Sequence, residues 1–153
     1  MRTIGIISDT HKLVRPQALE FLRNTDLIIH AGDIGSPEVI EQLQELAPVK
    51  AVRGNIDKAA WADAFPPDEV VQVAGKKIYV LHDVNELTLD PAASGFDVVV
   101  SGHSHMPKVS RHNHVLYINP GSAGPRRFKL PVAVASLKIS NGKLTAKIEE
   151  LSI

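Results

Sequence analysis

The chain has 153 residues, enough for one domain burying roughly two-thirds of its unfolded surface without a disulfide or zinc staple. Its 17 Lys and Arg balance 17 Asp and Glu, so the zero net charge gives no support to a broad basic nucleic-acid surface or an acidic tail. The absence of cysteine excludes disulfides, thiolate metal sites and a cysteine nucleophile, so a metal centre here must be built from nitrogen and oxygen donors.

The opening segment carries only Ile4 to Ile7 as an apolar run, too short for a secretory leader. No stretch approaches 18 apolar residues, so no membrane association is expected and a cytoplasmic location is the default. In chain order, strand Ile4–Ser8 is followed by a helix over Pro16–Arg23, with proline at its start and Leu19 and Leu22 three apart. Strand Leu27–Ala31 leads to a clearer helix over Ser36–Ala47. There Ser36 reads as the N-cap and Pro37 as the first helical residue, with Val39, Ile40, Leu43, Leu46 and Ala47 on one face and Pro48 as the stop. Strand Val49–Val52 follows. Val70–Val73 turns back through Gly75-Lys76 into Ile78–Leu81, and a short helix is expected around Asp90–Ser94. Val98–Ser101 and Val115–Ile118 are further strands, and Asn141-Gly142 joins Val132–Ile139 to Leu144–Leu151 as a hairpin. Strand–helix alternation predicts parallel pairing in the first half, and the strand-rich second half reads as antiparallel. The whole is expected to be one α/β layered domain over residues 1–153.

The metal-type residues are not scattered. Asp9-Thr10-His11 follows the first strand, Gly32-Asp33 the second and Gly54-Asn55 the third. His82 follows Ile78–Leu81, and Gly102-His103-Ser104-His105 follows Val98–Ser101. Ligands of open α/β sheets bind at the C-terminal edge of the strands, where distant residues converge. Each group alone is an ordinary turn or a packed histidine; the ordered set of N/O donors at one edge is not. Glycines before Asp33, Asn55 and His103 fit sharp strand exits with positive φ or close backbone approach.

This ordered set resembles the calcineurin-like metallophosphoesterase superfamily, whose signature runs D-x-H, G-D, G-N, a lone His and G-H-x-H. The similarity covers residue 4 to about residue 122 and is nearest to the small bacterial and archaeal phosphodiesterases, with Asn119-Pro120-Gly121-Ser122 matching a segment they carry. The resemblance implies two mixed β-sheets packed as a sandwich flanked by helices. It implies two divalent ions, one held by Asp9, His11, Asp33 and His105, the other by Asp33, Asn55, His82 and His103, with Asp33 bridging. Mn is the foremost metal, and Ni, Fe, Co and Zn also suit the donors. Two ions about 3.5–4 Å apart can clamp phosphate oxygens and supply hydroxide near neutral pH for in-line attack. The implied activity is phosphate-ester hydrolysis, of diesters rather than monoesters, with Asp33, Asn55 and His103 catalytic and Asn55, His103 and Arg53 facing substrate. A small-molecule phosphate ester, a nucleotide among the candidates, is the expected partner; duplex nucleic acid is not indicated, and homo-oligomer formation is left open.

Two departures from the family pattern stand out. Ile56 occupies the position where many members carry a histidine that protonates the leaving group, as in the phosphodiesterase branch, which often lacks that histidine. Asp83 and Val84 stand where relatives usually have Gly and His; Asp83 reads as a partner orienting His82 or as a loop carboxylate. Asp57 suits a loop-stabilising role or metal contact, and Arg53 a phosphate contact or an ion pair. Asn119 and Ser122 could donate near the site. His30 reads as a packed core histidine, His112 and His114 as part of a solvated turn, and Arg126, Arg127 and Lys129 as a solvated basic loop. The main rival is a non-catalytic scaffold, since one eukaryotic relative, a small subunit of the retromer coat, uses this fold for protein contacts. A metal-regulated nucleotide sensor is a third reading.

Overall fold

Alternation along the first strand decides how the layers stack. In the computed structural model, which describes residues 1–153, β1 (Arg2–Ile7) sends Ile4 and Ile6 to one face and Ile7 to the other. The chain continues through α1 (Pro16–Leu22), β2 (Leu27–His30), α2 (Pro37–Gln44), β3 (Val49–Ala51), β4 (Asp68–Val73) and β5 (Lys76–Leu81). It ends with β6 (Val98–Val100), β7 (Lys108–His112), β8 (Val115–Asn119), β9 (Ala133–Ser140) and β10 (Lys143–Glu150). Two five-stranded sheets form, in the orders β10-β9-β1-β2-β3 and β4-β5-β6-β8-β7. Ile4, Ile6 and Ile29 from the first sheet meet Ile78, Val80, Val98, Val100 and Ile118 from the second in a shared core. The opposite face of the first sheet, with Ile7 and Ile28, is covered by Ala18 and Leu22 of α1 and Val39, Ile40 and Leu43 of α2. Gly5 lets α1 lie directly on β1: a Cβ there would overlap the Leu22 side chain.

The expected sandwich of two mixed sheets flanked by helices is observed. Parallel pairing of β1 with β2 and of β2 with β3 matches the strand–helix alternation. The second half is not simply antiparallel: β5–β6 and β6–β8 are parallel, while the edge pairs β4–β5 and β7–β8, the expected β9–β10 hairpin and the return of β9 beside β1 are antiparallel. Long crossovers, without intervening regular helices, make the central pairs parallel. Three local expectations are corrected. The segment around Asp90–Ser94 is a turn, with Asp90 Oδ1 accepting from Ala92 N and Ala93 N, and Gly95 at φ 82° follows. The second helix stops at Gln44, because Leu46 N bonds to Leu43 O in a tighter turn before Pro48. Ser36 occupies the N-cap position without a side-chain capping bond. Strand β7 was not expected, since Lys108–His112 has one apolar residue and lies on an exposed edge, where pairing with β8 defines it. Its two-residue turn, Asn113-His114, has φ of 50° and 66°. No helix is long and apolar enough to cross a membrane.

Candidate metal centre

The C-terminal ends of β1, β2, β3, β5 and β6 open onto one edge, where the two sheets meet. Gly102 N donates to His82 O at 2.8 Å, and His103 N donates to Asp9 Oδ2 at 3.1 Å, tying the loop after β6 to those after β5 and β1. Within this edge, His105 Nε2 lies 3.3 Å from Asp9 Oδ1, and His82 Nε2 lies 3.3 Å from Asp33 Oδ2 and 3.8 Å from Asp9 Oδ1. His11 Nε2 is 3.7 Å from Asp33 Oδ2 and 4.0 Å from Asp9 Oδ1. Two triads have ligand atoms mutually within 4.8 Å: Asp9, His11, His105 and Asp9, Asp33, His82. Asp9 is common to both, while Asp33 Oδ2 faces His11 as well as His82. His103 lies outside these triads and, like Asn55, is exposed. Both line, with His82, an adjoining cavity of about 330 Å³. The His103 ring sits edge-on to His82 at 5.2 Å between centroids.

The backbone here is strained in a way that no motif announces. Asp9, His11, Asp33, His103 and His105 have φ of 56°, 47°, 56°, 71° and 64°. Left-handed conformations cost non-glycine residues of order 1–3 kcal/mol each when held by their surroundings, and they cluster at functional sites. Gly32, at φ 104°, has the expected positive φ, whereas Gly54 and Gly102 are required for close approach. A Cβ at Gly54 would overlap Asp33 N and Oδ1; one at Gly102 would overlap Ser8 Oγ and lie 2.6 Å from Asp9 Oδ2.

The donor atoms are left facing one another. Asp9 Oδ2 accepts from Ser8 Oγ at 2.8 Å and from His103 N, while Oδ1 is buried without a hydrogen-bond partner. His11 Nε2 and His82 Nε2 are also buried and unpartnered. The Ala31 carbonyl accepts from His82 Nδ1 at 2.8 Å, which puts the proton of the neutral ring on Nδ1 and leaves Nε2 a lone pair aimed at the carboxylates. Carboxylate and imidazole lone pairs so directed require a cation between them, a proton or a metal ion. The titration behaviour follows. Burial acts to lower His82, but the Asp33 and Asp9 carboxylates outweigh it and lift the imidazole to about 9. Burial acts to raise Asp33, and the His82 imidazolium overrides it and holds the carboxyl below the usual range. The donor set therefore fits divalent cations, which would replace the proton.

The supporting residues resolve the remaining sequence readings. Asp57 is buried and accepts from Ile34 N (3.0 Å), Gly35 N (3.0 Å) and Gly54 N (2.8 Å), clamping the loops after β2 and β3 together. Arg53 forms no ion pair; its Nη1 donates to Phe65 O at 2.6 Å and the residue lines the cavity. Asp83 does not face His82: its Oδ1 accepts from Asn85 N and its Oδ2 lies 3.7 Å from His103 Nε2. Asn119 Nδ2 donates to Gly102 O and Ser104 Oγ, and Ser122 Oγ donates to Asp9 O, so both brace the loops. Arg126, Arg127 and Lys129 are exposed. His112 and His114 are exposed around the β7–β8 turn, so His112→Ala is expected to change turnover less than twofold and stability by no more than about 0.5 kcal/mol. A loss comparable to that of His103→Ala in the same assay would contradict this placement.

His30 is fully buried. Its Nδ1 accepts from Gly32 N at 3.1 Å, so the proton lies on Nε2, 3.0 Å from Thr10 Oγ1, which itself donates to Ile34 O. Burial lowers this imidazole to about 4. A depressed folded-state value leaves stability unaffected above the unfolded value near 6.5 and erodes it as pH falls toward 4, by roughly 3 kcal/mol in all. Urea midpoints across that window should fall more steeply for the wild type than for His30→Asn; equal slopes would remove this account.

Paired carboxylates and imidazoles at the strand exits of a β-sandwich define a candidate metal centre. The chain belongs to the calcineurin-like phosphoesterase superfamily, whose domain model matches residues 1–142. It is 34% identical to a probable metallophosphoesterase of Methanothermobacter thermautotrophicus, over 95% of this chain and 90% of that one. A structurally characterised archaeal phosphodiesterase superposes with a TM-score of 0.78 at 26% identity, covering 96% of this chain and 99% of the other. Vps29 from Entamoeba histolytica, solved with Zn²⁺, shares the fold with a TM-score of 0.74 at 20% identity, over 97% and 98% of the two chains.

Proposed function

We propose that the protein is a metal-dependent phosphodiesterase with a dinuclear centre. The observation that carries this reading is the set of inward-facing, unpartnered donors on Asp9, His11 and His82, with Asp33 Oδ2 and His105 Nε2 alongside. Asp9, His11, Asp33 and His105 would hold one cation, and Asp33, Asn55, His82 and His103 the other. Bound divalent ions, Mn²⁺ foremost, would supply Lewis acidity toward phosphate and lower the pKa of water toward about 7. The chain's own residues do the rest. Asn55, His103 and Arg53 line the adjoining cavity and orient the phosphate. Asp83 steadies His103, and Asp57 and Gly54 hold the Asp33 and Asn55 loops in register. Residues 1–153 would act as one domain, in the cytoplasm.

Ile56 has no proton to give, so the leaving oxygen departs with its charge uncompensated by this side chain. Turnover should therefore fall steeply as the leaving-group pKa rises, by on the order of 10²-fold or more between aryl and alkyl diesters. The test is hydrolysis of bis(p-nitrophenyl) phosphate, its monoester and an alkyl diester after chelation and refilling with Mn²⁺, Ni²⁺, Fe²⁺, Co²⁺ or Zn²⁺. Aryl diester turnover restored by metal is expected. Faster monoester cleavage would make the protein a monoesterase. Full metal occupancy with neither aryl ester cleaved would end the enzyme reading in favour of a scaffold.

A further inference from the structure

The cavities on the two sides of the centre differ in charge and in chemistry. The one beside His82 and His103 carries Asp68, Asp83 and Glu86, and its one arginine, Arg53, has its guanidinium engaged by the Phe65 carbonyl. The one beside His11, of about 410 Å³, carries Lys12 and Lys58 and no carboxylate, together with Ile56 and Trp61. Neither lysine forms an ion pair, so both cations are free for a ligand. Both stand on loops that the centre itself fixes. Lys12 N donates to Ile34 O at 3.0 Å, and Lys58 follows Asp57, the carboxylate that clamps the loops after β2 and β3. Trp61 is half-buried, packed on the helix side of the core, with its ring held edge-on by Phe65 at 6.2 Å. Ile56 is 45% exposed, an apolar side chain left open beside a polar centre.

We propose that the His11-side cavity is a subsite for a nucleotide arm carrying a second phosphate, and that substrate lies across the centre with its other, neutral or cationic arm toward Asp68, Asp83 and Glu86. The assignment rests on the phosphodiesterase reading of the adjoining centre. A planar base uses the Trp61 and Ile56 surface, and the second phosphate uses Lys12 and Lys58. A simple aryl group would leave the lysines unused, and a polyphosphate would leave the apolar surface unused. The three carboxylates of the opposite cavity repel a second anion and so fix the orientation.

Trp61 is the only tryptophan, so intrinsic fluorescence reports this cavity without any turnover. The Zn²⁺-loaded protein is titrated with thymidine 5′-phosphate and with thymidine 3′,5′-bisphosphate. Both should change the Trp61 emission saturably, the bisphosphate binding on the order of tenfold tighter, and Lys12→Glu/Lys58→Glu should abolish that advantage. The same titrations on Asp68→Asn/Glu86→Gln should keep it. An unchanged emission, or a preference that survives reversal of both lysines, overturns the subsite. Because these are binding measurements, aryl diesters that resist cleavage under every metal would defeat the phosphodiesterase reading while a normal Trp61 response still upholds the subsite; turnover without that response does the reverse.

Discussion

Asp33→Ala is expected to lower diester turnover by at least about 10³-fold and to reduce bound metal from two ions per chain to one or fewer. Asp33 Oδ2 is the oxygen closest to His82 Nε2, at 3.3 Å, and it also faces His11 at 3.7 Å. Its removal therefore strips a donor from between the two histidine sets. Charge stabilisation lost at a metal-assisted reaction centre amounts to several kcal/mol, and each 1.36 kcal/mol is about tenfold in rate. In the metal-free protein Asp33 still contributes, since its Oδ1 accepts a 3.2 Å bond from Ile56 N and its Oδ2 pairs with the His82 imidazolium. In chelator the variant should thus melt below the wild type. With metal at about 100-fold its dissociation constant, each filled site adds about 2.7 kcal/mol to the wild type, and the variant should lose much of that increment. Metal analysis and paired melts with and without chelator check both halves. A variant that keeps two metals and full turnover would show that Asp33 is not a ligand.

Gly54→Ala should be among the most damaging conservative changes in the chain. The added methyl would overlap Asp33 N as well as Oδ1, and a backbone nitrogen cannot rotate away as a side chain can. Gly54 N is also bound to Asp57 Oδ2, so the loop after β3 cannot retreat without releasing the clamp on Ile34 and Gly35. Overpacking of this kind costs about 1–3 kcal/mol, occasionally more. The loss should be accompanied by weakened metal retention, because Asp33 moves. By contrast Gly142, at φ 76° in the β9–β10 turn, has open space where an alanine methyl would stand, with nothing within 4 Å. Alanine there should cost only its backbone strain, about 1–2 kcal/mol, with metal content unchanged. Denaturant midpoints and metal stoichiometry on the two variants separate a cradle from a turn.

Much of the candidate centre was legible because each group of candidate ligands is local. Asp9 with His11, and His103 with His105, are near neighbours in sequence, and each group directly follows an apolar strand that periodicity identifies. The lack of cysteine narrowed the metal chemistry to N/O donors. The helical face of α2 and the Asn141-Gly142 turn were readable for the same reason, their cause lying within a few residues, whereas the turn expected at Gly75-Lys76 falls one residue earlier, at Ala74-Gly75, because Lys76 already pairs with Val73. Strand β7 was not readable, because Lys108–His112 owes its conformation to β8 and not to its own pattern.

What the amino-acid sequence determined alone is therefore the inventory: which donors exist, which strand each one follows, and that Ile56 cannot act as an acid. Only the tertiary structure decided how those donors face. The tautomer of His82 depends on the Ala31 carbonyl, 51 residues away, and the free oxygen of Asp9 depends on the His103 amide, 94 residues away. The orientation of Asp83 toward His103, the clamp at Asp57 and the opposite charges of the two cavities likewise arise where loops from two sheets meet. These contacts have no signature in sequence because they are set by packing the sheets through the shared core of Ile4, Ile6, Ile29, Ile78 and Val100, which carries the strand exits to one edge and holds their unpaired donors against the repulsion that only a cation relieves.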